Sequence, residues 1–245
     1  MNPLITVITP TTGKDSLFEL RESLSLQSVP HVHMVLWDDK RDGHFSKTGR
    51  LYPSDIEGET DLSLTMSVVI KGSLVSGQAY GSAMRAVGLM AANTPYVCFA
   101  DDDVWFESNH MESLLKAIDG KNWAYCIRDI WSNDGLKYIG EDRFESIGDE
   151  SKLPYKLVDN SSLIFKREFG ASAACLYRET KEYNDDRLMF QFMTKYAGVP
   201  GKSGMVTVNQ RCPIRLETFF RLNCVPNKNK TIPRPFIEAD QRFIG

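Results

Sequence analysis

The sequence predicts an α/β protein on a doubly wound, mixed and mostly parallel sheet. Two observations carry this. Short runs of β-branched and apolar residues alternate with amphipathic helical stretches through the first half. Acidic or polar turns close three of those runs, at Pro10–Thr12, Asp38–Asp39 and Asp101–Asp103. In open α/β sheets the strand carboxyl ends are where ligands bind.

LITVITP (Leu4–Pro10) reads as a buried strand stopped by Pro10. DSLFELRESLSLQ (Asp15–Gln27) follows as a helix, with Leu17, Leu20 and Leu24 on one stripe and Asp15 or Ser16 as its N-cap. HVHMVLWDD (His31–Asp39) is a second strand, and the three segments form a β-α-β unit. Lys40 to Asp61 is polar with scattered Gly and Pro, and reads as a long loop. LSLTMSVVIKG (Leu62–Gly72) is a third strand. QAYGSAMRAVGLMAAN (Gln78–Asn93) is a helix whose small residues allow close packing on a sheet. PYVCFA (Pro95–Ala100) is the fourth strand, and HMESLLKAI (His110–Ile118) a further helix.

The second half is less regular. WAYCIRDIW (Trp123–Trp131) reads as a strand, and Asn133–Gly135 as a hairpin turn before LKYIG. Ser161–Gly170 holds another short apolar run. DDRLMFQFMTKYAG (Asp185–Gly198) is an amphipathic helix that opens on two acids and stops at Gly198. From Arg211 the tail shows no clear pattern.

Composition narrows the class. The 245 residues are 42% hydrophobic and 25% charged, an ordinary globular balance with enough apolar material for a core. A net charge of −3 and a pI near 5.9 give no bulk attraction to nucleic acid or anionic membrane. The five cysteines are widely spaced, with no CxxC pair, which argues against zinc and for a reducing compartment. Cys98 and Cys126 read as core residues. No run is apolar and long enough to span a bilayer, and the amino end carries no signal peptide, so a cytoplasmic location is expected.

CFADDDVWF (Cys98–Phe106) sets three aspartates at a strand end. Like charges this close raise one another's pKa. A bound cation would relieve that cost, and carboxylate oxygens are natural ligands of Mg²⁺ and Mn²⁺. The competing reading is a polar turn that happens to be acidic. TTGKDS is no phosphate loop, because Ile8 stands where a Walker A needs Gly. His31, His33, His44 and His110 show no metal-ligand spacing, and no His follows Asp186.

The order of these features resembles the family 2 glycosyltransferases of the GT-A fold. ITVITPTTG matches the opening strand, SLSLQS places Gln27 at the end of the first helix, and VLWDDKRDG matches the second strand and its acids. GSAMRAVGLMAANTPYVCFADDDVW carries Arg85 and Gly88 at the family's Arg and Gly, with Ala86 in place of its usual Asn. Asp101 and Asp103 fall on the D-x-D motif, and NDDRLMFQF resembles the acidic pair that opens a late helix. The resemblance covers most of the first half and part of the second.

The resemblance implies a GT-A, Rossmann-like domain over 1–210, with a nucleotide-sugar half to about residue 106 and an irregular acceptor half from 107. Residues 211–245 would be an extension packing on it. It implies a nucleotide-sugar donor, most naturally a UDP-sugar, a Mn²⁺ or Mg²⁺ ion, and inversion at the anomeric carbon. Asp103 would be the direct metal ligand, with Asp101 toward the ribose or the metal's waters and Asp102 on the donor side. Thr9, Pro10 and Thr12 would line the base and ribose. Asp38 or Asp39 would accept from the uracil, and Arg85 would pair with the diphosphate. Asp186, the second acid of its pair, would be the general base, with Asp185 tuning it; the bland reading of both is charge compensation at a helix start. Trp105 reads equally as sugar-pocket wall or core. Lys166 and Arg167 read as acceptor or phosphate contacts or as a surface turn.

The acceptor would be a hydroxyl of a glycan or other molecule. Nucleic acid is not expected, although transfer to a modified base of phage DNA stays open. A nucleotidyltransferase of sugar-nucleotide synthesis and a non-catalytic nucleotide- or glycan-binding module are the alternatives. The first should carry a Gly-rich basic loop after the opening strand, and TPTTGKDS has one Gly and one Lys there.

Overall fold

A computed structural model describes residues 2–39, 58–59, 62–71, 81–177, 184–227 and 230. Strand β1 (Ile5–Thr11) is buried along its whole length. It pairs in parallel with β2 (His31–Asp39) on one side and β5 (Tyr96–Phe99) on the other. β2 pairs in parallel with β4 (Ser63–Lys71), whose outer edge carries the short antiparallel β3 (Gly58–Glu59). Most of the long loop expected from Lys40 to Asp61 lies outside the described residues, as does the start of the helix expected from Gln78.

Beyond β5 the sheet turns antiparallel. β9 (Leu163–Lys166) joins β5 to β7 (Trp123–Trp131). β10 (Gly201–Arg211) then runs parallel to β7, and β6 (Val104–Phe106) closes the far edge. β8 (Tyr138–Glu141) folds back on β7 as the hairpin that the Asn-Asp-Gly turn predicts. Among the described residues the strands form one mixed sheet of ten, and its longest ladders are parallel.

Alternation along the strands supplies a core on each face of the sheet, and a smaller cluster of Ile130, Ile139, Cys212, Phe220 and Cys224 lies under α6 (Glu217–Asn223). Ile5, Val7, Val35, Trp37 and Cys98 face α1 (Leu17–Ser25) and α3 (His110–Ile118), through Leu17, Leu20, Leu24, Met111 and Leu114. Ile8, Leu36, Val97 and Phe99 face α2 (Ser82–Ala91), α4 (Gly170–Ala174) and α5 (Asp185–Phe192). Each such side chain contributes about 1.5–3 kcal/mol on burial. A sheet covered on both faces is what continuously apolar parallel strands require.

Gly88 explains how closely α2 approaches. A Cβ there would lie 2.5 Å from Ile8 Cγ2 and 2.9 Å from Leu36 Cδ1. The small residues of this helix therefore bring its amino-terminal turn, and Arg85, down onto the strand ends.

Some expectations need correction. β1 does not stop at Pro10 but runs through it to Thr11. Proline is tolerated because its N–H would face β5, whose ladder has already ended with Ala100 N–H on the Ile8 carbonyl. β6 and β10 were not foreseen; β10 lacks a clean apolar alternation. The patternless tail forms α6 (Glu217–Asn223), and Val225 then bridges Glu141. The late helix changes to a π turn over Met193–Ala197 before Gly198 reverses the chain at φ 85°.

Candidate active site

The carboxyl ends of β1 and β5 are in register, Ile8 opposite Phe99. Three residues further on, Thr11 Oγ1 donates to Asp102 Oδ2 at 2.8 Å. Asp102 also accepts Lys14 Nζ at 2.7 Å, and its carbonyl accepts the Ser16 hydroxyl. Ser16 is the N-cap residue of α1, yet its hydroxyl ties the helix start to this acidic turn rather than to its own backbone. Asp102 is thus buried and satisfied inside the protein.

Asp101 and Asp103 point elsewhere. The Asp101 carboxylate accepts Arg85 Nη2, and its N–H donates to Ser161 Oγ at 3.1 Å. Asp103 lies 3.5 Å from Lys14 Nζ and keeps 33% of its side chain accessible. Burial pushes its carboxyl up to about 7; Lys14 opposes the shift, and Asp101, Asp102 and Asp159 reinforce it. The cost of three adjacent acids is therefore met in part by the protein's own cations, Lys14 and Arg85. Neither the bound ion nor the polar turn weighed from the sequence included these two partners.

The acid pair opens α5 in its first turn. Asp185 accepts from the Ser82 hydroxyl and lies 3.9 Å from Arg85 Nη1. Asp186 Oδ1 accepts the Asn160 N–H at 3.1 Å. Burial raises the Asp185 carboxyl, against Ser82 and Arg85. Burial, followed by the Asp159 charge, lifts Asp186 well above the carboxylate range. A carboxyl whose proton affinity is raised in this way, at the end of a parallel sheet, is a candidate proton acceptor. Arg85 sits between the two acidic groups, and burial works against its charge. Asp101, Tyr177, Asp186 and Asp185 outweigh that and hold it firmly protonated.

No family model and no curated protein matches the sequence. Solved structures do match. The structure of S. aureus TarS residues 1–349 superposes with a TM-score of 0.63 at 17% identity, over 92% of this chain and 67% of that one. Its complex with UDP-GlcNAc gives 0.62 at 16%, over 92% and 68%. A longer TarS chain gives 0.60 at 16%, and there the match spans 41% of its length. The chain has a GT-A-like fold.

Within that fold the predicted residues separate. Thr9 is fully buried, its hydroxyl 3.0 Å from His33 Nε2. Pro10 packs under Gly81, where φ is 82° and a Cβ would come within 2.6 Å of the Pro10 ring. Thr12 is exposed at the rim. Asp38 and Asp39 end β2 opposite Ile70 and Lys71; their side chains lie outside the described set.

Lys166 and Arg167 do not join the site. Lys166 pairs with Tyr96 and Arg167 N–H bonds the Pro95 carbonyl, at the amino end of β5. That is five residues, about 16 Å, from Asp101. Trp105 is core: it is buried with its ring 5.4 Å from Trp131. Gln27 is also structural. Its side chain bonds the Ser23 and Glu107 carbonyls and the Met111 N–H, joining α1 to the start of α3.

Thr11, Lys14, Ser82, Asn160, Ser161 and Tyr177 belong at the site and were missed. Only Lys14 carried a signal, as the lone cation after β1. The others are ordinary residue types whose partners lie far away in sequence.

Among the described residues no cluster of three or more His, Cys, Asp or Glu is arranged to hold a metal by protein ligands alone. The donor set still suits a hard divalent cation. Asp103 offers a partly accessible carboxylate, the oxygen ligand such cations take, with Lys14 Nζ 3.5 Å away. No described helix is long and apolar enough to cross a membrane.

Proposed function

We infer that the protein is an inverting, metal-dependent glycosyltransferase of the family 2 type, moving a sugar from a UDP-sugar to a hydroxyl of a glycan or other acceptor. One observation carries this reading. Two acidic groups, Asp101–Asp103 beyond β5 and Asp185–Asp186 at the start of α5, are held together across Arg85 at the carboxyl end of the parallel strands. TarS, which shares the fold, has been solved with UDP-GlcNAc and with UDP, and this supports a UDP-linked donor.

The nucleotide is assigned to the rim at Thr12 and the end of β2, with the buried Thr9–Thr11 segment as the floor beneath it. A divalent cation would be held by Asp103 with Asp101, where it would offset charge on the diphosphate as the sugar departs. Arg85 orients the Asp101 carboxylate. Asp186 takes the proton of the acceptor hydroxyl, so that the oxygen attacks from the face opposite the leaving group, and the configuration inverts. Asp185, engaged by Ser82 and Arg85, opens the same helical turn beside it, where a second carboxylate raises the affinity of Asp186 for a proton.

The test is incubation with a panel of nucleotide sugars, with and without Mn²⁺. Mn²⁺-dependent release of UDP is expected. Pyrophosphate release would mark a nucleotidyltransferase, and no turnover with retained UDP binding a binding module.

A further inference from the structure

The turn before β9 touches both acidic groups. Ser161 Oγ accepts the Asp101 N–H, and the next residue back, Asn160, donates its N–H to Asp186. Tyr177 Oη fixes the other end of Asn160, donating to its Oδ1 at 3.0 Å.

Asp159 holds this turn. Its Oδ1 accepts the Ser161 N–H at 2.9 Å, and its N–H donates to Ser146 Oγ at 2.7 Å. Its Oδ2 accepts Arg128 Nη1 at 2.6 Å. Arg128 is buried and shared: Nε reaches Asp142 at 2.9 Å, Nη2 reaches Glu145 at 2.9 Å, and Nη1 also reaches Gln210 at 2.7 Å. Asp142 in turn accepts the N–H groups of Phe144, Glu145 and Ser146. One guanidinium thus faces three carboxylates, so the Asp159 charge is only partly neutralised. A buried network bonded this fully is rigid.

We propose that Asp159, backed by Arg128, is the positioning residue for Asp186: it holds the Asn160 N–H on the Asp186 carboxylate and sets the field that carboxylate feels. This rests on the reading of Asp186 as the base. The charged groups facing Asp186 are Asp159 from the turn, Arg85 from α2, Asp101 from beyond β5 and Arg128 from β7, with Asp185 beside it on α5. The Tyr177 phenol completes the set and is itself held neutral by burial. Arg85, Arg128 and the Asn160 N–H favour the ionised form; Asp159 and the other acids oppose it.

Asp159→Asn keeps the shape but removes the charge, and its single amide oxygen can still accept either the Ser161 N–H or Arg128 Nη1. Full-length protein carrying [γ-¹³C]aspartate would be titrated by NMR without metal or nucleotide. The Asp186 signal is assigned by its loss in Asp186→Asn, and the Asn160 amide is followed alongside. Asp159→Asn should lower the Asp186 midpoint by about one pH unit, and the acidic limb of the transfer rate should fall by the same amount. Glu145→Gln, which takes a carboxylate from the same guanidinium without touching the turn, should move it less than half as far. An unmoved midpoint, or an equal shift in Glu145→Gln, overturns the proposal. If Asp159→Asn does not fold, the wild-type Asn160 amide decides: it must titrate with Asp186, and a flat amide overturns the proposal. An unmoved midpoint with Asp186→Asn inactive defeats only the positioning role. Full transfer by Asp186→Asn defeats the base role as well.

Discussion

Arg85 on α2 donates to Asp101 beyond β5, so a helix and a strand end meet over one ion pair. The Arg85 side chain is 7% accessible and that of Asp101 30%. The pair is possible because Gly88 lets α2 sit directly on Ile8 and Leu36.

Arg85→Met should therefore cost both stability and ligand. Breaking a buried pair costs about 3–5 kcal/mol, and the partial exposure of Asp101 brings the expected loss nearer to about 2. Thermal unfolding would show this as a Tm lower by roughly 4–8 °C. Arg85→Lys should recover part of it. A Met variant as stable as wild type would mean that the pair contributes nothing to folding.

Gly88→Ala tests the same relationship from the other side. Helix propensity alone favours Ala by about 1 kcal/mol. The 2.5 Å approach of the new Cβ to Ile8 should outweigh that by forcing the helix off the sheet, at about 1–3 kcal/mol. Tm should fall, and UDP affinity, measured by calorimetry, should fall with it because Arg85 moves too. An increase in Tm would show that the helix yields without strain.

Metal dependence is tested at Asp103, the most accessible of the three acids. Asp103→Asn should remove most turnover and weaken UDP binding in Mn²⁺ far more than in EDTA. Equal UDP affinity for wild type and variant in Mn²⁺ would sink the metal role.

Asp186→Asn separates chemistry from binding. Donor affinity should stay near wild type while transfer falls by about 10²–10⁴-fold. The wild-type rate should rise with pH through the raised pKa of Asp186, since only the ionised carboxylate accepts a proton, and that limb should vanish in the variant. Asp185→Asn should cost less. If Asp185→Asn is the inactive variant and Asp186→Asn nearly normal, the base is the other acid.

The raised pKa of Asp186 also has a stability consequence. A carboxyl whose folded pKa lies above its unfolded value contributes stability fully below the unfolded pKa, and that contribution is lost as pH rises through the folded pKa. Asp186→Asn, neutral at every pH, should therefore unfold at a higher Tm than wild type at pH 8, and the gain should shrink on acidification. Parallel Tm curves would show that Asp186 does not titrate differently in the folded state.

The sequence by itself determined the sheet's first half and the chemistry at its edge. His31–Asp39, His110–Ile118 and Trp123–Trp131 were read with their observed bounds, because their apolar periods are strong and their ends are punctuated by Pro, Asn, Asp or Gly. Asp101, Asp103, Asp185 and Asp186 stood out because clustered acids at element ends are costly without a purpose. Their partners did not stand out. Lys14 on Asp102, Ser82 on Asp185, Asn160 on Asp186 and Ser161 on Asp101 are pairings across 88, 103, 26 and 60 residues. Nothing local marks them. β10 and α6 were invisible for the same reason, since their stability comes from the strands and loops they cover. Tertiary structure alone decided that Asp102 faces inward, that Lys166 and Arg167 lie at the far end of β5, and that one turn at Asp159–Ser161 holds both acidic groups. The direction a side chain takes at a strand end is set by the neighbouring elements that close over it, and a linear pattern carries no record of them.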